Sequence, residues 1–237
     1  MNTFTCKFYF SSEAQEKNTL QCTFSDWEIG QFGALYSENL LLSLSRHYNL
    51  YTKPNLNGFE IIHNIYPGQA VGRFNVLDLK KKAPLVSGNI GEAIAMPALT
   101  ACSGLPLNLM PFQRFRATVK CPDYRFSTVP RILSKLWNVP INTFSNFPVD
   151  LPMEVKTHLG TDKKFPIGAL NQLKSYWREC STHFGQGVGY GVVARVNLRS
   201  RLIRYFLFMP KNGVLTPALL RARISTYYNN PSRYFEI

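Results

Sequence analysis

Hydrophobic and polar residues alternate near the start of the chain. From Phe4 to Phe10, and again from Leu20 to Phe24, every second residue is apolar. A period of two is typical of strands with one buried face. The pattern therefore predicts two strands joined by a polar loop. Apolar residues then recur at helical spacing over residues 29–48, which predicts a helix.

The second half of the chain predicts alternating helices and strands. Ser87-Gly88-Asn89 can cap the first helix, and the Ser103-Gly104-Leu105-Pro106 run can end it. The elements expected after it are a strand over 115–126, a helix over 129–137, a strand over 153–159, a helix over 167–184, a hairpin over 190–209 and a helix from 216. This order predicts an α/β fold. We expect residues 1–85 to form a β-rich N-terminal lobe and residues 86–237 to form the main core.

The net charge of the chain indicates which class of partner it binds. It has 237 residues, a formal net charge of +13 and 17% charged residues. A protein this basic usually meets a polyanion, most often nucleic acid, although a basic protein without such a partner is the alternative. No apolar stretch is long enough for a membrane span and no leader pattern is present. We therefore expect a cytoplasmic protein without membrane contact.

The cysteines indicate less about function than the net charge does. There are five, an odd number, and none form a Cys-x-x-Cys pair. This argues against a disulfide framework, a zinc ribbon and an iron–sulfur cluster. The sequence therefore predicts reduced thiols, as in most cytosolic proteins.

The strongest candidate chemistry lies at Glu154-Val155-Lys156. Residues two apart on a strand point to the same face, so Glu154 and Lys156 are expected side by side. A carboxylate that holds Mg²⁺ beside a cation is suited to phosphodiester hydrolysis. Asp123 is expected to add a second carboxylate from a neighbouring strand. Asp150 is a rival for that place, although it is expected to precede the strand.

These residues, with two others, resemble a known family. Glu92 in the first helix, Pro122-Asp123 and Glu154-Val155-Lys156 follow one another in the order found in the PD-(D/E)xK nuclease superfamily. The Gln172…Tyr176 pair is similar to the Gln-x-x-x-Tyr motif of its RecB and lambda-exonuclease branch. The resemblance covers roughly residues 87–210. It implies a restriction-endonuclease-like αβββαβ core with a mixed sheet flanked by helices, and an insertion between Asp123 and Glu154.

The resemblance also implies an activity and a site. The activity is a metal-dependent deoxyribonuclease using Mg²⁺ or Mn²⁺, endonuclease or exonuclease, with RNA left open as a substrate. The implied catalytic residues are Asp123, Glu154, Lys156, Glu92, Gln172 and Tyr176. The implied metal ligands are Asp123, Glu154, Glu92 and the Val155 carbonyl.

Two further expectations concern partners. The basic residues expected to bind DNA phosphates are Lys163, Lys164, Lys174, Arg178, Arg199 and Arg201. A homodimer, or a partner protein in a defence, repair or mobile-element complex, is compatible with the sequence. The alternative function is a non-catalytic, basic nucleic-acid-binding subunit of a larger nucleoprotein complex built on a nuclease-like fold.

Overall fold

The computed structural model describes about half of the chain. The described residues are 2–10, 15–24, 84–105, 112–114, 122–127, 129–145, 147, 150–158, 167–183 and 189–210. The helices expected over 29–48 and from 216 lie outside these residues. No helix in the described ranges is both long enough and apolar enough to cross a membrane.

Three α-helices and seven strands make up the described fold. In chain order they are β1 (Asn2–Phe10), β2 (Glu16–Phe24), α1 (Pro84–Ser103), β3 (Phe112–Arg114), β4 (Tyr124–Ser127), α2 (Pro130–Trp137), a 3₁₀ helix (Ile141–Phe144), β5 (Asp150–His158), α3 (Ile167–His183), β6 (Gly191–Asn197) and β7 (Leu202–Phe208). The predicted alternation of helices and strands is confirmed for these segments.

All seven described strands belong to one mixed sheet. Their order across the sheet is β2-β1-β7-β6-β5-β4-β3. The β5–β6 and β1–β7 pairs are parallel, and the other pairs are antiparallel. Parallel neighbours need a long crossover, which α3 supplies between β5 and β6. The α/β prediction is therefore confirmed, with a mixed sheet flanked by helices.

The N-terminal strands join the same sheet as the rest. β1 pairs along β7, from Thr5 with Leu202 to Phe10 with Leu207. The alternation of apolar residues in β1 places Phe4, Cys6 and Phe8 in the main core. The remainder of the expected N-terminal lobe, residues 25–83, lies outside the described ranges, so its boundary near residue 85 stays a prediction.

Helices cover both faces of the sheet. α1 and α2 pack on the face that carries Phe8 and Tyr205, where Trp137 of α2 meets the Phe8 ring edge-on at 5.0 Å between ring centroids. α3 packs on the other face, where Leu173 and Trp177 contact a second apolar cluster. Trp177 donates its indole N–H to the Tyr190 carbonyl at 2.8 Å, which satisfies its buried polar group.

Three local expectations are corrected. α1 begins at Pro84, before the expected cap at Ser87, which agrees with the preference of proline for a first helical turn. In the strand expected over 115–126, β4 begins only at Tyr124 and Asp123 stands immediately before it, while residues 115–121 lie outside the described ranges. Asp150 is the first residue of β5, paired with Ser127, so placing it before the strand was wrong.

α1 approaches β5 most closely at Gly91. A Cβ added there would overlap the Thr157 side chain and lie only 2.7 Å from Thr157 Cβ. Real Cβ atoms essentially never come this close to another heavy atom. Glycine is therefore needed at residue 91 because the helix lies directly on the strand that carries Glu154 and Lys156.

We expect Gly91→Ala to lower the free energy of unfolding by about 1–3 kcal/mol, because the helix must move off β5. Gly168→Ala is the matched control, since a Cβ at Gly168 meets nothing within 4 Å. Alanine favours helices, so the control should be neutral or stabilising by up to about 1 kcal/mol. Urea unfolding measures both, and a Gly91→Ala protein as stable as the wild type would contradict the close contact.

Candidate active site

β5 places a buried acid and a half-exposed lysine next to each other. Glu154 and Lys156 are two residues apart and share a face of the strand. The Glu154 side chain is completely buried, whereas 36% of the Lys156 side chain is exposed. Lys156 Nζ donates a hydrogen bond to Glu154 Oε1. The predicted side-by-side arrangement of the two residues is therefore present.

α3 adds a glutamine to this pair. Lys156 Nζ donates a second hydrogen bond to Gln172 Oε1 at 2.7 Å. α3 lies on the sheet face toward which Glu154 and Lys156 point, so the crossover helix brings Gln172 to the lysine. Tyr176, one turn further along, is half-buried and packs against the apolar cluster beneath α3. Its expected catalytic role stays a prediction.

Asp123 reaches the same place from β4. Tyr124 pairs with Met153 in the antiparallel β4–β5 ladder, so Asp123 stands opposite Glu154 at the next position. Its Oδ2 accepts a hydrogen bond from the Val155 backbone N–H at 2.8 Å. This bond fixes the Asp123 carboxylate against β5. Metal coordination by the Val155 carbonyl stays a prediction.

The electrostatics of Glu154 are unusual for a carboxyl group. Burial and the neighbouring Asp123 carboxylate raise its pKa to about 9, and Lys156 only partly offsets this effect. Both causes disfavour a negative charge on Glu154. Its second oxygen, Oε2, is buried, and no described group donates a hydrogen bond to it. A divalent cation held by Glu154 and Asp123 would be coordinated by this oxygen and would reduce the repulsion between the two carboxylates.

Glu92 lies on the other side of the sheet. It is buried in α1, and its Oε2 accepts a hydrogen bond from the Tyr124 hydroxyl at 3.1 Å. Tyr124 packs in the main core with Met153, on the face opposite Lys156 and Gln172. Glu92 therefore contacts the residue that follows Asp123, and its expected role as a metal ligand stays a prediction.

The residues expected to bind DNA are only partly described. Lys163 and Lys164 lie outside the described residues, as does the side chain of Arg178. Lys174 is half-buried on α3. Arg199 and Arg201 flank the turn between β6 and β7, where Arg199 is exposed and Arg201 is half-buried with a φ of 50°. The turn lies beyond the end of β6. Lys156 pairs with Arg195 of β6, and the distance along the strand from Arg195 to the turn is about 13 Å.

Strand pairing reveals a basic row that extends from the site. Lys156 pairs with Arg195, Arg195 with Arg204, and Arg204 with Lys7. We call these four residues, Lys156, Arg195, Arg204 and Lys7, the basic row. Like charges placed opposite each other destabilise a sheet, so such a row needs compensating contacts or an anionic ligand.

Part of that compensation lies at the end of the row. Lys7 forms an ion pair with Glu16 at 2.8 Å, and the Tyr9 hydroxyl donates to the same carboxylate at 3.0 Å. These contacts lower the pKa of Glu16 to about 2, with the Lys7 hydrogen bond as the largest cause. The sequence alone does not predict the basic row, because the row depends on the registers of four strands. Each basic residue taken alone resembles an ordinary surface charge.

The raised pKa of Glu154 predicts that stability falls as pH rises. An unfolded glutamate titrates near 4.5, whereas Glu154 in the fold keeps its proton until about 9. Its contribution to stability is therefore complete below pH 4.5 and is lost as pH rises through 9. For metal-free protein in a chelator, we expect the Tm to decline across this range and Glu154→Gln to flatten the decline.

Glu16→Gln is the control for this measurement. The folded pKa of Glu16 is about 2, so its stabilisation is already complete above its ordinary value of 4.5. This variant should lower the Tm while leaving the slope between about pH 5 and 9 unchanged. Equal slopes for the wild type and Glu154→Gln would show that the buried carboxyl does not titrate as inferred.

No family model, no curated protein and no solved structure matches this chain. The functional argument therefore depends on the side chains themselves. Within the described residues, these bring Asp123, Glu154, Lys156 and Gln172 together from β4, β5 and α3.

Proposed function

We propose that this protein is a metal-dependent deoxyribonuclease of the PD-(D/E)xK type. The observation that carries the proposal is the pair formed by the buried Glu154 carboxyl group and the half-buried Asp123 carboxylate, beside Lys156. Glu154 Oε2 has no described hydrogen-bond donor, and the charged form of Glu154 is disfavoured. A carboxylate pair with one lysine at its rim is suited to a divalent cation and a phosphodiester substrate.

The order of the elements supports the same proposal. α1, β3, β4, β5, α3 and β6 follow one another as αβββαβ. The insertion that the resemblance requires between Asp123 and Glu154 corresponds to α2 and the 3₁₀ helix. A restriction-endonuclease-like core would have its acids on the second and third strands of that order. β1, β2 and β7 would then extend the core sheet beyond β6.

The residues of the site would divide the chemistry among them. Mg²⁺ or Mn²⁺ bound by Asp123 and Glu154 supplies charge neutralisation and an activated water. Lys156 Nζ, at the half-exposed rim, can orient that water or donate to a phosphoryl oxygen as negative charge develops. Gln172 holds the lysine in place from α3, and the Val155 N–H holds Asp123. Gln172 is thus a positioning residue in this proposal.

The basic row supports a polyanionic substrate. It begins at Lys156 and crosses β6, β7 and β1 on one face of the sheet. Lys156, Arg204 and Lys7 are half-buried rather than fully covered, so they contribute to the potential at the surface. Regularly spaced cations can follow a phosphate backbone without reading its sequence. With a net charge of +13, nucleic acid is the substrate class that fits best.

One observation favours the alternative of a non-catalytic nucleic-acid-binding subunit. Lys156 already donates hydrogen bonds to Glu154 and Gln172. A cluster whose polar groups bond to one another can be structural, without a metal. Binding and cleavage measured separately distinguish the two functions.

We expect the wild type to cut DNA in Mg²⁺ or Mn²⁺, and Asp123→Asn, Glu154→Gln and Lys156→Ala each to lower the rate by about 100-fold or more. The assay uses linear duplex, closed circular duplex, single-stranded DNA and single-stranded RNA. Cutting of the circular form identifies an endonuclease, whereas a need for free ends identifies an exonuclease.

Lys17→Ala is the matched control for this assay, because Lys17 lies on β2, far across the sheet from β5, and stacks its Nζ over the Phe10 ring. Its cleavage rate should equal that of the wild type. Wild-type protein that binds DNA but leaves every substrate intact with either metal would favour the non-catalytic subunit.

Binding to the basic row has its own measurement. In a chelator, which prevents cutting, we expect Arg204→Gln to weaken duplex DNA binding several-fold and to reduce the slope of log affinity against log salt by about one. Arg131→Gln removes the same charge from an exposed residue of α2, on the opposite side of the sheet. If both variants lose affinity equally, the DNA does not follow the basic row.

A further inference from the structure

Three cysteine thiols meet on the face of the sheet opposite the candidate active site. Cys6 comes from β1, Cys22 from β2 and Cys102 from the last turn of α1. All three Sγ atoms lie within 4.8 Å of one another, and all three residues are buried. Cys6 Sγ and Cys22 Sγ are 3.4 Å apart. We call these residues the thiol cluster.

The fold places the thiol cluster by strand register and helix packing. Phe4 pairs with Cys22 and Cys6 pairs with Leu20, so the two cysteines are diagonal neighbours on one face of the β1–β2 hairpin. α1 packs across that face and brings Cys102 above them. Because the ligands come from three elements, no short sequence motif marks the cluster.

The spacing of the sulfur atoms suits one metal ion. Zn²⁺ bound tetrahedrally at Zn–S distances of about 2.3 Å holds its sulfur ligands about 3.8 Å apart. That distance lies between the 3.4 Å of the Cys6–Cys22 pair and the 4.8 Å that bounds the cluster. The three sulfurs are therefore already close to the separation that one tetrahedral ion requires.

We infer that Cys6, Cys22 and Cys102 form a three-thiolate binding site for one Zn²⁺ ion. The three thiol protons leave as the ion binds, and the ion joins the β1–β2 hairpin to the end of α1. All three residues are buried, and a water molecule would complete the tetrahedral coordination.

A nearby lysine makes the charge of this site tolerable. Three thiolates and Zn²⁺ leave one net negative charge, which is costly to bury without a partner. Lys135 of α2 donates its Nζ to the Ser103 carbonyl at 2.9 Å, next to Cys102. Its positive charge therefore lies close to the cluster.

A disulfide between Cys6 and Cys22 is the alternative explanation of the short distance between their sulfur atoms. It would use two of the three thiols and would not account for Cys102 beside them. It would also lower the protein mass by two hydrogens, which intact-mass spectrometry detects. The two outcomes are therefore distinguishable in a single preparation of the full chain.

The test measures metal content and a spectroscopic signature. Full-length protein purified without chelator should contain one zinc per chain by elemental mass spectrometry. Exchange with Co²⁺ should give sulfur-to-cobalt charge-transfer absorption, whose intensity reports the number of thiolates. Removing zinc with a chelator should lower the Tm by several degrees, and adding Zn²⁺ should restore it.

Cys22→Ser and Cys102→Ser should each lose stoichiometric zinc, and Cys180→Ser is the matched control. Cys180 lies on α3, across the sheet from α1, so this variant should retain full zinc content. If the cluster variants fail to fold, wild-type zinc content and cobalt absorption still decide the question. Wild-type protein without zinc before and after reconstitution, a Cys6–Cys22 disulfide, or copper in place of zinc would each overturn the assignment.

Discussion

The parallel pairing of β5 with β6 is the constraint on which the candidate site depends. A parallel pair requires a crossover, and here the crossover is α3. The helix covers the face of β5 that carries Glu154 and Lys156, so it buries the carboxylate and supplies Gln172 to the lysine. β4 pairs with the other edge of β5 and brings Asp123 opposite Glu154. Without α3 on this face, Glu154 would lose the cover that contributes to its burial, and burial is the largest cause of its raised pKa.

Local sequence patterns predicted correctly those features that depend on a single strand. The alternation from Phe4 to Phe10 identified β1, and the Glu-x-Lys spacing placed Glu154 and Lys156 on one face, because a strand has a period of two. The order of acid, acid and lysine along the chain led to the correct neighbours. The prediction that Asp150 precedes β5 was wrong, because the residue at which a strand begins depends on its partner strand. Here Asp150 pairs with Ser127 of β4.

Features that several elements create together could not be read from the sequence. The basic row needs the registers of β5, β6, β7 and β1, and the thiol cluster needs the β1–β2 register together with the packing of α1. The absence of a Cys-x-x-Cys pair concerns only sites in which neighbouring cysteines supply the ligands. It gave no information about cysteines that are far apart in the chain. Glu92 was placed in a helix correctly, but its contact with Tyr124 depends on which face of the sheet α1 covers.

The position of β1 in the sheet has a consequence for how the protein is made. β1 is synthesised before its parallel partner β7, which is formed by residues Leu202–Phe208. Until β7 has been synthesised, the β1–β2 hairpin lacks the neighbour that pairs with its β1 edge. Contacts between parts of a chain that are distant in sequence form late in folding. The hairpin therefore completes its place in the sheet only after nearly all of the described chain has been made.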